Sequence, residues 1–467
     1  MRYHELIFFA VHRLLGTGTA QAWRTLLAAE DQSPGTLFRS RDAALAAVWE
    51  RLRTATPFYR EWLPPGPLLD GSGRLRPDVW AAAPVTDRRD IRTHFDDMVA
   101  FPSADARRAW RERRALPAGW TVQKSGGSTG QPVEYLQDRT WQAWNRAAAL
   151  WCDKLSGAWP CREKRLKIWG GTQEIRGVKV PLTTRLSSWL QRGIILPSFR
   201  MDEATMRGHI ETINRRTDAP TLEGYVSTLY TLARFARGAG LSVRPLQRVI
   251  SSAGTLHAPM KELMEAVYGG PVFDRYGSRD GGATANQCEL RRGLHVCEPT
   301  LYVEVVDKKG RQVPDGSEGD ILLTQLHNHG MPLFRYRIGD RGVMDPEPCP
   351  CGRPHRVLKK LLGRVTERIC TPDGRILDSL YFVHLLGVVL NSGWLDRFQV
   401  VQDKQDEVRI ALVPREGSSP GERESGLRAV IAELEESLGP SVRLDARLVG
   451  DIPPSPSGKH LYVVSSL

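Results

Sequence analysis

Two groups of residues have the types and spacing to do chemistry, one suited to phosphate and one to a metal ion. The first is Lys124-Ser125-Gly126-Gly127-Ser128-Thr129-Gly130-Gln131-Pro132. Its glycines let backbone N–H groups crowd around an anion, and its hydroxyls add donors. It is not a Walker loop, because no Gly-Lys-Ser/Thr follows at the spacing that loop needs. A flexible Gly/Ser turn would have the same composition. The second group is Cys349 and Cys351, a tight pair, with Cys288 and His295 upstream. Three sulfurs and one imidazole make a Cys₃His set that fits tetrahedral Zn²⁺. Such a set has no open position for water, hence no catalytic role. Buried reduced thiols are the plainer alternative, and Cys297, close after His295, could displace either assignment. Cys152, Cys161 and Cys370 read as ordinary core or surface thiols.

The elements that would position these groups alternate in type. Residues 1–60 read as helical, with periodic Ala- and Leu-rich stretches at 20–30 and 42–54. A Pro- and Arg-rich irregular stretch, 64–120, contains a helix starting at Arg88. Trp141, Trp144, Leu150 and Trp151 fall at near-helical spacing, so these tryptophans read as core. Strands over 166–169 and 248–252 alternate with helices over 203–216 and 227–239, the pattern of an α/β sheet. Residues 301–307 and 319–325 read as strands of a more antiparallel section. A hairpin over 398–413, a helix with Leu427, Val430, Ile431, Leu434 and Leu438 on one face, and a strand over 442–449 form a β-β-α-β unit. The expected division is an amino-terminal domain, 1–363, and a small α+β domain, 364–467.

Composition narrows the class. The 467 residues are 41% hydrophobic and 25% charged, which excludes a disordered, collagen-like or disulfide-stapled chain. A mean hydropathy of −0.35 and the lack of a long apolar run exclude a transmembrane helix. Residues 6–15 imitate a leader, but His12 and Arg13 interrupt them, so they read as an amphipathic helix. The net charge of +12 is scattered, with only short clumps such as Arg107-Arg108, which suits an anionic small substrate better than a nucleic acid or membrane surface. An odd count of seven cysteines points to a reducing cytoplasm.

Ser125 to Gly130 followed by Pro132 resembles the ATP-phosphate loop of adenylate-forming enzymes. The chain continues in that family's order. Ser252-Ala253-Gly254 resembles the turn that lines the adenine, and Tyr276-Gly277-Ser278-Arg279-Asp280 resembles the Tyr-Gly-x-Ser/Thr-Glu segment. There the Tyr packs on adenine and the acid helps hold Mg²⁺; here Asp280 stands in place of the usual Glu. Tyr336-Arg337-Ile338-Gly339-Asp340 is similar to the segment whose Asp binds the ribose hydroxyls. Gly363 to Ile369 resembles the hinge, in which Arg364 steadies the nucleotide, although Thr366 and Glu367 occupy its two acidic positions. Pro456-Ser457-Gly458-Lys459 resembles the motif whose Lys contacts carboxylate and α-phosphate. Within the family, 56–60, 83–92 and 223–227 resemble the phenylacetate–coenzyme A ligase-like and capsule-biosynthesis-type branch, where a Cys-x-Cys-Gly-Arg segment resembles a closed zinc site.

The resemblance implies an α/β fold, with a large multi-layer amino-terminal domain of adenylate-forming type and a mobile carboxy-terminal lid. It implies ATP, Mg²⁺, structural Zn²⁺ and coenzyme A as participants, Lys459 as catalytic residue and Tyr225 in the acid pocket. The expected reaction activates a carboxylic acid, foremost an aryl acid, as acyl-AMP and passes it to coenzyme A. An amide synthetase using an amine acceptor keeps the same first half. A non-enzymatic zinc- and nucleic-acid-binding protein is the reading from another class. No membrane partner is expected, and a homodimer is left open.

Overall fold

Side-chain caps start several of the amino-terminal helices, and apolar periodicity sets which face of the longer ones is buried. The computed structural model describes residues 3–124, 133–159, 161–169, 189–198, 201, 203–364, 368–378, 381–382, 385–386, 390, 394–453, 455 and 460–467. Helices α1 (Tyr3–Leu14), α2 (Thr19–Glu30) and α3 (Pro34–Ala55) occupy the stretch expected to be helical. Ser33 accepts from the Thr36 amide and Pro34 enters with φ pre-set, so α3 starts sharply. Two short helices, α4 (Pro57–Trp62) and α5 (Pro77–Ala81), also start on proline. A reciprocal capping box between Asp87 and Asp90 begins α6 (Arg88–His94), and Ser103 caps α7 (Ala104–Arg113).

Strands β1 (Thr121–Lys124) and β2 (Glu134–Gln137) pair antiparallel and bracket the Gly/Ser segment. Asp138 then caps α8 (Arg139–Leu155), whose Trp141 and Trp151 are fully buried. A parallel section follows: β3 (Arg165–Ile168), β4 (Gly193–Leu196), α9 (Glu203–Arg215), β5 (Thr221–Tyr225), α10 (Val226–Gly238), β6 (Arg248–Ser252), α11 (Ala258–Tyr268) and β7 (Val272–Ser278). The chain then turns antiparallel through β8 (Gly282–Gln287), β9 (Leu294–Val296), β10 (Leu301–Val306), β11 (Glu318–Gln325), β12 (Tyr336–Met344) and β13 (Val357–Arg364). All these strands from β3 onward share one eleven-stranded sheet, ordered β10-β11-β12-β13-β9-β8-β7-β6-β5-β3-β4.

The carboxy-terminal part forms its own sheet. After a small hairpin of β14 (Arg368–Cys370) and β15 (Ile376–Asp378) come β16 (Leu395–Lys404), β17 (Glu407–Pro414), α12 (Pro420–Leu438), β18 (Arg443–Leu448) and β19 (Val463–Ser465). The order is β18-β17-β16-β19, with the outer strands parallel to their neighbours. Trp394, Phe398, Val400 and Leu434 share one apolar cluster with Leu229 and Leu232 of α10 and Met264 of α11. Arg234 of α10 donates to the carbonyls of Leu395 and Asp396, at 3.2 and 2.9 Å. Among the described residues no helix is long and apolar enough to cross a membrane. All seven cysteines are unpaired.

One buried cation ties the helical entry to the antiparallel half. Arg335, just before β12, is 2% exposed and pairs with Glu304 of β10, which is 1% exposed. Its guanidinium donates to Glu304 at 3.0 and 3.2 Å, and to the carbonyls of Trp80, Ala83 and Gly310 at 3.2, 2.7 and 2.6 Å. Every donor is therefore used, which is what burial of an Arg demands. Arg335→Met should lower unfolding stability by about 3–5 kcal/mol in a urea titration, because Glu304 is left charged and unpaired. The double variant Arg335→Met/Glu304→Leu should recover part of that loss.

Candidate active site and metal cluster

In an open parallel sheet, ligands bind in the crevice outside the carboxyl ends of the strands. Here those ends carry Trp169 after β3, Tyr225 at the end of β5, Ser252 at the end of β6, and Tyr276 to Ser278 at the end of β7. Register places Tyr225 beside Ser252 and Ser252 beside Arg275. Thus Tyr225, Ser252, Ala253, Gly254, Tyr276 and Gly277 stand along one rim. Ala253 has φ 63°, a left-handed conformation that costs a non-glycine residue and marks a tightly determined turn. A Cβ on Gly277 would lie 2.7 Å from the Gly282 carbonyl, so the β7–β8 turn admits only glycine there. The Trp169 and Tyr225 rings lie 4.3 Å apart, and the Lys167 ammonium sits 4.2 Å from the Trp169 centroid.

The antiparallel half adds two buried carboxylates. Tyr276 donates to Asp340 Oδ2 at 2.8 Å, and Tyr336 donates to Asp280 Oδ2 at 3.3 Å. Asp340 and Asp280 are 7% and 4% exposed. The two bonds cross between β7 and β12 and fix both carboxylates to the same rim. Burial and the Asp280 charge push the Tyr336 phenol up, against the pull of Arg88, so it keeps its proton and donates. Arg364 is the register partner of Asp340 on β13. Ser125, Gly126, Gly127, Ser128, Thr129, Gly130 and Lys459 lie outside the described residues.

An ionic network anchors the strands that end at the rim. Glu223 of β5 accepts from Lys167 at 2.9 Å and Arg165 at 3.2 Å, with Arg275 at 3.5 Å. Asp153 of α8 accepts from Arg165 at 2.7 Å and Arg275 at 2.6 Å. Burial pushes the Glu223 carboxyl up, but Lys167, Arg275 and Arg165 outweigh it and hold it far below the usual carboxylate range.

Cys288, His295, Cys349 and Cys351 converge, with one ligand atom from each lying within 4.8 Å of the others. Cys288 follows β8, His295 is on β9, and both other cysteines lie between β12 and β13. The Cys288 and Cys349 sulfurs are 3.8 Å apart, and Cys351 Sγ is 3.4 Å from His295 Nε2. Zn–S bonds near 2.3 Å and Zn–N bonds near 2.0 Å at tetrahedral angles require edges of about 3.8 and 3.5 Å. Burial, His355 and Arg353 hold His295 down at about 4, so its imidazole is neutral, as a ligand must be. Cys297 instead faces Thr300 Oγ1 at 3.3 Å and packs in a different apolar cluster with Trp151 and Cys152.

Sequence patterns gave no role to Trp169 or Arg88, whose partners Tyr225 and Tyr336 lie distant in the chain. Trp169 had one available signal, its place at a strand's carboxyl end. His327 is a packing group: its Nε2 lies 2.8 Å from the Pro299 carbonyl and its ring stacks on Trp144 at 3.7 Å.

Comparison with known proteins gives concordant matches. Residues 369–466 match the family model described as the CapK C-terminal domain. A phenylacetate-coenzyme A ligase of Thermus thermophilus is 24% identical over 413 residues, covering 84% of this chain and 83% of the relative. Protein CapK of Staphylococcus aureus is 22% identical over 277 residues, 59% of each chain. A phenylacetate-coenzyme A ligase of Aromatoleum evansii is 37% identical over 109 residues, covering 22% of this chain and 24% of the relative. Among solved structures, 2-hydroxyisobutyryl-CoA ligase in its postadenylation state superposes with a TM-score of 0.65 at 19% identity, covering 91% of this chain and 89% of that one.

Removing the carboxylate at the centre of the ionic network tests how firmly the rim is held. Glu223→Gln should destabilise the fold by about 3–5 kcal/mol in chemical denaturation, because Arg165 and Arg275 then share Asp153 alone and Lys167 loses its carboxylate.

Proposed function

We propose, for a chain that belongs to the adenylate-forming family in its phenylacetate–coenzyme A ligase-like and CapK branch, that it joins an aryl carboxylic acid to coenzyme A. It is an AMP-forming ligase that uses ATP to activate a carboxylic acid. The observation that carries the finer reading is the crossed pair of bonds, Tyr276 to Asp340 and Tyr336 to Asp280, at the rim that also holds Trp169 and Tyr225.

In the first half-reaction a substrate carboxylate oxygen attacks the α-phosphorus, the bond to the β-phosphate oxygen breaks, and pyrophosphate leaves. Tyr276 packs on the adenine while Asp340 accepts from the ribose hydroxyls and Arg364 steadies them. Ser125 to Gly130 donate N–H and O–H groups to the departing phosphates, where negative charge gathers. Lys459 bridges carboxylate and α-phosphate as a point charge. Asp280 would hold Mg²⁺ through a hard carboxylate oxygen, and the ion would offset phosphate charge. Trp169 and Tyr225 present aromatic faces to the acid. In the second half-reaction the thiol gives its proton to solvent, its sulfur attacks the acyl carbon, the acyl–phosphate bond breaks, and AMP leaves with the bonding pair. No residue of the chain is covalently modified.

The test is ATP–pyrophosphate exchange across a panel of aryl and aliphatic acids, followed by product mass with coenzyme A or with amines. Exchange with aryl acids and a thioester product is expected; an amide product would move the acceptor to an amine. No exchange with any acid would remove the reading. Lys459→Ala should cut exchange by at least about a hundredfold while ATP affinity stays near that of the parent.

Cys288, His295, Cys349 and Cys351 would hold one structural Zn²⁺, clamping the β8–β9 turn to the β12–β13 connection. Elemental analysis should give about one zinc per chain, lost with solubility in Cys349→Ser. A metal-free preparation with full thermal stability would overturn this assignment.

A further inference from the structure

The Tyr135 side chain on β2 is 1% exposed, and its hydroxyl has no hydrogen-bond partner among the described residues. An unsatisfied buried donor is costly enough that each one needs a reason. Its surroundings supply one. Side chains two apart on a strand share a face, and Gln137 Nε2 lies 3.5 Å from the Arg279 carbonyl. Tyr135 therefore faces the same segment, 279–280, that carries the Asp280 carboxylate. Tyr276, Tyr336 and Tyr135 belong to one buried cluster, and the first two spend their hydroxyls on Asp340 and Asp280. Asn328, meanwhile, donates to the Leu136 carbonyl at 2.9 Å, which holds β2 in register.

We propose that the Tyr135 hydroxyl is a nucleotide-binding donor, directed at a non-bridging phosphate oxygen of bound ATP on the Asp280 side of the rim. The assignment rests on the adenylation reading. A phosphate oxygen is the acceptor that a neutral donor beside a carboxylate lacks until ligand arrives. Burial and Asp280 push the phenol's pKa up, against Arg279, so it remains a donor throughout the working pH range. No proton leaves Tyr135; the hydrogen bond forms with the ligand and breaks with its release.

The isosteric variant Tyr135→Phe isolates the hydroxyl, with binding of ATP and of adenosine measured side by side on parent and variant. ATP affinity should fall about tenfold, the scale of a hydrogen bond to a charged group. Adenosine affinity should not change, since it has no phosphate. The ligand-free thermal midpoint should not fall, because Phe removes an unsatisfied polar atom. ATP binding unchanged in the variant, or ATP and adenosine weakened alike, would overturn the proposal. If the parent binds neither compound, the adenylation reading fails and takes this assignment with it. If the parent binds both and only the variant result is negative, adenylation stands and Tyr135 is excluded.

Discussion

The buried Arg335–Glu304 pair is the constraint on which the antiparallel half of the site depends. Its guanidinium gathers a carboxylate from β10 and three carbonyls, two of them from the Trp80–Ala83 segment. That segment continues into Thr86, whose backbone pairs with the start of β12 through Thr86 N to Arg335 O at 3.2 Å and Arg337 N to Thr86 O at 2.8 Å. Tyr336 sits between these bonds, so the position of its hydroxyl follows from them. Arg335 also takes φ 40°, which turns the chain so that it points inward while Tyr336 faces the rim. A buried ion pair adds little net stability over well-packed apolar groups. Its contribution here is geometric: it accepts one arrangement of four chain segments and penalises the others.

A second charged assembly does for the parallel half what Arg335 does for the antiparallel half. Arg165 of β3 and Arg275 of β7 bridge Glu223 of β5 to Asp153 of α8, and Lys167 of β3 adds a further bond to Glu223. The opposite faces of β3 and β5 carry Leu166, Ile168 and Leu222, fully buried in apolar contact. Apolar packing tolerates small slides between strands, whereas hydrogen-bonded charges do not. Strand ends that must align a nucleotide and an acid within a fraction of an ångström are thus held on one side by directional bonds. The cysteine–histidine cluster gathers at a third point, where β9 meets β13.

Legibility in the sequence followed the range of the interactions. Helices announced by local caps, such as α6 with Asp87 and Asp90, were readable because cap and partner lie three residues apart. The rim residues Ser252 to Gly254 and Tyr276 were readable because whole motifs stand contiguous in the chain. Arg335 was not, since its partners lie 31, 255, 252 and 25 residues away and belong to no motif. The hairpin β14–β15 and strand β19 went unread because each spans only three residues, too few to show a period. Cys288, His295, Cys349 and Cys351 were grouped from residue type and do converge, yet only the pairing of β9 with β13 explains why Cys297 stands apart: it lies beyond β9, in the core beside Trp151.

The three buried tyrosines of the rim separate stability from function within one cluster. Tyr276 and Tyr336 each donate to a carboxylate, so their burial is compensated and both carboxylates gain a fixed orientation. Tyr135 is as deeply buried and its hydroxyl is uncompensated. Local packing alone favours a Phe at such a position, since the ring would fit and no polar group would be stranded. A sequence shaped only by folding has no use for that oxygen. Sites that bind charged ligands, however, must keep donors that find their acceptor only when the ligand is present, and the folded chain carries the cost in the interval. Tyr276 and Tyr336 thus orient the two carboxylates from the protein side, and the Tyr135 hydroxyl is the donor that a bound anion would satisfy.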